Sequence, residues 1–150
     1  MQKKDVLGSI KNGSIFLPEA AILNHIGTQP TKTNRLTLRR FTAADRKEAF
    51  RKWTSSYDSK FWEPPHKSIE ETEKMINEYV KNYDKKDWYM WAVVFQNELI
   101  GLVCGNEIKE DIKSICIGYC LTKSYWNNGI ATEASKVLIK YFFDIGFNRV

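Results

Sequence analysis

The feature that most constrains this chain is a run of three strand-like segments between Tyr89 and Leu121. Tyr89 to Phe95 is almost wholly apolar, the pattern of a strand covered on both faces. Gln96-Asn97 is a short turn, and Leu99 to Cys104 returns. A charged connection, Lys109 to Lys113, leads to a third segment, Ser114 to Leu121. These spacings predict an antiparallel meander. Such a sheet cannot bury two apolar faces by itself, so helices must cover it.

The helices are legible on either side. Leu36 and Leu38 alternate with Thr37 and Arg39 as a half-buried strand, and Thr42-Ala43-Ala44-Asp45 has the form of a capping box. Ala49, Phe50 and Trp53 give the apolar stripe of the helix that follows. Ser55 to Lys67 reads as an aromatic loop. Ser68-Ile69-Glu70-Glu71 caps a second helix, whose face is Met75, Ile76, Tyr79, Val80 and Tyr83. A third helix carries Ile130, Ala134, Val137, Leu138, Tyr141, Phe142 and Ile145. Gly146 suits a left-handed ending, with Phe147 folding back on Phe142. Asn148-Arg149-Val150 starts another strand. The order predicts one α+β domain over residues 34–150, with a mostly antiparallel central sheet flanked by helices.

Residues 1–33 read as an N-terminal extension. Within it, Pro18 opens a short helix through Ala20, Ala21, Ile22, Leu23 and Ile26, with Gly27 as the stop.

Composition excludes several classes. With 43% apolar residues and 27% charged ones, the chain can build a core and is not disordered. The net charge of +5 favours anionic partners, but no basic run exceeds a dipeptide, so no nucleic-acid partner is expected. Cys104, Cys116 and Cys120 lie in apolar stretches and read as buried thiols. Two histidines are too few for a metal cluster. No apolar run is long enough to span a membrane, and no signal peptide is evident, so a cytoplasmic protein is expected.

The chemistry concentrates in Tyr125-Trp126-Asn127-Asn128-Gly129-Ile130-Ala131-Thr132-Glu133-Ala134, between a strand and an amphipathic helix. The first turn of a helix has unpaired N–H groups and a positive dipole end, which together hold a phosphate. Gly129 would let the backbone approach a diphosphate closely, and Ala131 is small for the same reason.

From Thr33 to Val150 the sequence resembles the GNAT superfamily, in particular the branch of ribosomal-protein N-terminal acetyltransferases. The resemblance rests on Arg35-Leu36-Thr37-Leu38-Arg39-Arg40-Phe41, on Phe61-Trp62 with Pro64-Pro65-His66, on Ile117-Gly118-Tyr119, on the Trp126–Ala134 stretch, and on Gly146-Phe147-Asn148-Arg149-Val150. The family's cofactor pattern is Arg/Gln-x-x-Gly-x-Gly/Ala. Trp126 takes its first position, Gly129 its fourth and Ala131 its sixth.

The resemblance implies acetyl-CoA as cosubstrate. The backbone of Tyr119, Cys120 and Leu121 would pair with the pantetheine arm. The N–H groups of Asn127, Asn128, Gly129, Ile130 and Ala131 would hold the diphosphate, flanked by Trp126. The acceptor would be a primary amine on a protein N-terminus, a peptide or a small molecule, attacking the thioester directly. Glu107, or else His66, is the candidate base. A non-catalytic CoA-binding or protein-interaction module is the alternative.

The family's fold continues with a fifth strand, a fourth helix and a hairpin. The sequence stops at Val150, so a domain without those C-terminal elements is expected. The exposed sheet edge would favour association with a second copy. The chain alone is not expected to act as a monomeric catalyst.

Overall fold

In the computed structural model the described residues are 10–11, 14–15, 22–53 and 66–150. Two short strands, β1 (Ile10–Lys11) and β2 (Ser14–Ile15), pair with each other. The main sheet has five strands in the order β3-β4-β5-β6-β7. These are β3 (Thr31–Lys32), β4 (Leu36–Arg39), β5 (Tyr89–Phe95), β6 (Glu98–Lys109) and β7 (Ser114–Leu121). Every adjacent pair is antiparallel, so the expected meander is observed. β6 runs past the expected end at Cys104, through a register shift between Asn106 and Lys109.

Side chains alternate across this sheet and build two cores. Leu36, Leu38, Tyr89, Trp91, Val93, Val103, Ile115 and Leu121 face α3 (Ile130–Asp144), which inserts Ile130, Ala134, Leu138 and Phe142. On the opposite face, Met90, Ala92, Leu99, Leu102 and Cys104 meet Ala49 of α1 (Arg46–Trp53) and Ile76 of α2 (Ile69–Asn82). β5 is therefore buried on both sides, as its unbroken apolar run requires.

The capping signals are realised. The Ser68 hydroxyl accepts from the Glu71 N–H at 3.4 Å, and the Glu71 carboxylate accepts from the Lys67 N–H at 2.8 Å. Asp45 accepts from the Thr42 N–H at 2.7 Å and takes both Arg39 amino groups at 2.8 and 2.9 Å. Val80, assigned to the buried stripe of α2, is exposed instead; Thr72 is fully buried in that helix. At the end of α3 the Phe147 N–H reaches Phe142 C=O and the Gly146 N–H reaches Phe143 C=O. This is the Schellman pattern, with Gly146 at φ 107°. Phe147 packs edge-on against Phe142, with ring centres 5.6 Å apart. Beyond it, Arg149 bridges Ser114 in parallel, on the outer edge of β7.

The short helix expected over Pro18 to Ile26 is not formed where the chain is described. Residues 22–30 have no regular secondary structure; the residues before Ile22 in that stretch lie outside the description, as does most of the aromatic loop, 54–65. The reason is that bonds to the domain replace helical ones. The Asn24 N–H donates to Ile145 C=O at 2.8 Å. The Tyr141 hydroxyl donates to Gly27 C=O. Trp91 Nε1 donates to Gln29 C=O at 2.7 Å, and the buried Thr28 hydroxyl bridges Trp88 C=O and the Met90 N–H. The stretch taken as an extension thus reaches into the core from residue 23, and β3 adds a strand to the sheet.

The cysteines differ from one another. Cys104 is buried, Cys120 half-buried and Cys116 exposed. Cys116 projects from an edge strand on the face opposite Ile115, beyond the reach of the second core.

Candidate functional site

β7 and α3 meet at the site. β7 is an edge strand paired on one side to β6. On its outer edge the Ile115 N–H donates to Arg149 C=O at 3.0 Å. Backbone groups two residues apart point the same way. The N–H and C=O groups of Ile117 and Tyr119 therefore face that outer edge too.

A short turn, Lys123–Tyr125, then leads into the loop 126–129. Trp126 Nε1 donates to Leu121 C=O at 2.6 Å, tying the loop back to the strand it left. Asn127 and Gly129 are both left-handed, with φ of 58° and 73°. Gly129 is the N-cap of α3, and the first helical bond runs from the Glu133 N–H to Gly129 C=O. The N–H groups of Ile130, Ala131 and Thr132 thus have no partner within the helix.

A cavity of about 410 Å³ opens at this junction. Its walls are Tyr119, Cys120, Leu121, Tyr125, Trp126, Asn127, Gly129, Ile130, Ala131 and Thr132. The strand residues and the loop residues singled out in the sequence come together here, with the exception of Asn128. Tyr119 is 53% exposed and forms an open side wall. The floor carries free N–H donors and the positive end of a 15-residue helix, so it suits an anion.

The requirement for glycine at 129 is conformational. A Cβ there would meet only Arg35 Nη2, at 3.7 Å, so space is open on that side. What a side chain could not adopt cheaply is the left-handed φ. Among protein atoms, therefore, it is the left-handed φ rather than a clash that favours glycine at this position.

Arg35 and Glu133 were not expected to form part of the site's frame. Arg35 Nε donates to Glu133 at 2.7 Å, and Arg35 Nη1 donates to Asn128 C=O at 3.1 Å. The Thr33 hydroxyl and the Arg35 N–H also donate to Glu133. The Thr33 hydrogen bond chiefly, then Arg35, holds the Glu133 carboxyl below its ordinary range. The residues lie about a hundred positions apart, and no local pattern joins them; a first-turn acid reads only as a favourable dipole partner.

The candidate bases lie away from the cavity walls. Glu107 is exposed at the irregularity of β6, φ 49°, with the Cys116 thiol 3.6 Å from its carboxylate. His66 Nδ1 lies 2.6 Å from the hydroxyl of the buried Thr72, which ties it to α2. Among the described residues no group of His, Cys, Asp and Glu could hold a metal ion. No described helix is long and apolar enough to cross a membrane.

With this geometry in hand, residues 35–150 match the family model described as the acetyltransferase (GNAT) domain. The chain belongs to the GNAT acetyltransferase family. The α+β architecture is the GNAT fold, and the enzyme class is that of the GNAT N-acetyltransferases. This GNAT chain is 26% identical over 123 residues to an uncharacterized N-acetyltransferase, YoaA, of Bacillus subtilis, covering 79% of this chain and 70% of that one. Among solved structures, a Vibrio cholerae protein provisionally named a ribosomal-protein-serine acetyltransferase superposes with a TM-score of 0.70 at 27% identity, over 77% of this chain and 67% of that one. RimL, a ribosomal L7/L12 alpha-N-protein acetyltransferase solved with coenzyme A, gives a TM-score of 0.64 at 22% identity, over 76% and 67% of the two chains. At that identity the likeness is one of fold.

Proposed function

We propose that this chain transfers the acetyl group of acetyl-CoA to a primary amine, with a protein N-terminus as the acceptor class. The observation that carries the reading is the cavity between the outer edge of β7 and the amino end of α3. The N–H groups from Asn127 to Ala131 would hold the diphosphate. The outer edge of β7 at Tyr119–Leu121 would take the amide groups of the pantetheine arm, as an added strand does. The acceptor class is drawn from the names of two neighbours: the Vibrio cholerae protein, 27% identical to this chain, is called a ribosomal-protein-serine acetyltransferase, and RimL a ribosomal L7/L12 alpha-N-protein acetyltransferase.

The chemistry asks for a neutral amine, a donor for the developing oxyanion, and a proton for the CoA thiolate released as the C–S bond breaks. Cys116 stands five residues up β7 from Leu121, about 17 Å along an extended strand. An arm laid along β7 from the loop would bring its thioester toward that end, where Glu107 neighbours Cys116. Glu107 is accordingly our candidate to take the ammonium proton, directly or through water.

The reading is tested by thiol release from acetyl-CoA against a panel of peptides with different N-terminal residues and of small amines. Peptide-dependent release that Glu107→Gln slows at least tenfold supports it. Release independent of any amine contradicts it.

A further inference from the structure

An anion site framed by a carboxylate requires an account, because the carboxylate repels the ligand. Glu133 lies in the first turn of α3, beside the free N–H groups. It is neutralised by Arg35, and both stand behind the loop, outside the cavity walls. Arg35 spends one further donor, Nη1, on Asn128 C=O at 3.1 Å.

That bond has a directional consequence. In a trans peptide the C=O and the N–H point opposite ways. Drawing the Asn128 carbonyl toward Arg35 turns the N–H of Gly129, on the same peptide, the other way. Gly129 borders the cavity and Asn128 does not. Glycine tolerates φ of either sign, so this peptide could flip at little cost if nothing held it. Flipped, it would aim a carbonyl oxygen at the ligand in place of a donor.

We propose that Arg35, anchored by Glu133, is a positioning residue for the cofactor loop: it fixes the 128–129 peptide so that the Gly129 N–H faces the diphosphate of CoA. The inference rests on the function proposed above. It differs from a simple charge effect in sign. If Arg35 acted only as a nearby cation, Glu133→Gln would remove a repelling charge and tighten CoA binding. If Arg35 acts by orientation, Glu133→Gln loosens the anchor and weakens binding.

Calorimetry with CoA, with folding checked by circular dichroism, reads the difference. Arg35→Met should raise the Kd about tenfold or more, as expected for losing one hydrogen bond to a charged group. Arg35→Lys should fall between parent and Arg35→Met, and Glu133→Gln should raise the Kd about threefold or more. In ¹⁵N-labelled protein, CoA should move the Gly129 amide proton downfield in the parent and not in Arg35→Met. Equal or tighter binding by Glu133→Gln, or an unchanged Gly129 response in Arg35→Met, overturns the inference. Should Arg35→Met not fold, Arg35→Lys and Glu133→Gln decide by the same criteria. A parent chain that does not bind CoA overturns the proposed function along with it; a parent that binds with unaffected variants overturns the positioning role alone.

Discussion

Substitutions at Gly129 separate backbone strain from crowding. The residue has φ 73° and ψ 7°, in the left-handed region. A Cβ would have open space apart from Arg35 Nη2 at 3.7 Å, so steric clash contributes little. The cost of Gly129→Ala is then the left-handed conformation itself, about 1 kcal/mol. Gly129→Val adds the stiffness of a β-branched side chain and should cost about 2 kcal/mol. Gly129→Asn should cost about 0.5 kcal/mol, because asparagine tolerates this region. Urea unfolding gives these values as shifts of midpoint at constant slope. CoA affinity should fall in the same order, since the loop must relax to accommodate each residue. The reasoning fails if Gly129→Asn is as damaging as Gly129→Val, because volume rather than φ would then govern.

Other expectations follow from buried groups. The Tyr83 hydroxyl accepts from the Phe41 N–H at 2.9 Å and donates to Met90 C=O at 3.0 Å. Tyr83→Phe should therefore cost about 2 kcal/mol of stability, read as a lower urea midpoint. Burial pushes the Cys104 thiol up to about 11, while Cys116 is exposed. Timed iodoacetamide labelling read by mass spectrometry should modify Cys116 first and leave Cys104 untouched in the folded chain. Burial alone would raise the Asp45 carboxyl, but hydrogen bonds from Arg39 and Thr42 outweigh it and hold it below its ordinary value. A depressed carboxyl stabilises the fold above its unfolded pKa, about 3.9, and loses that contribution as pH falls through the folded value. The melting temperature of the parent should drop more steeply than that of Asp45→Asn below about pH 4.

The sheet and helices were legible because each carries its own period. β5 reads as doubly covered from seven apolar residues, α2 announces its N-terminal cap at Ser68, and α3 its C-terminal ending at Gly146. The strand–loop–helix junction that lines the cavity was legible because its parts are contiguous, from Ser114 to Ala134. What stayed hidden depends on distant partners. The backbone at 22–30 follows the bonds offered by Ile145, Tyr141 and Trp91 rather than local helix preference. The clamp of Thr33 and Arg35 on Glu133 joins the turn between β3 and β4 to α3, a pairing no spacing encodes. Cys116 looked buried by its neighbours' hydrophobicity, yet its register on an edge strand turns it outward.

The proposed function seats CoA between β7 and the amino end of α3. Titrating CoA into ¹⁵N-labelled chain and mapping the amide shifts tests it most directly. Saturable shifts should concentrate at Tyr119–Leu121 and Asn127–Thr132, with Gly129 among the largest. Saturable binding whose shifts centre elsewhere, or no shifts at millimolar CoA, would contradict it.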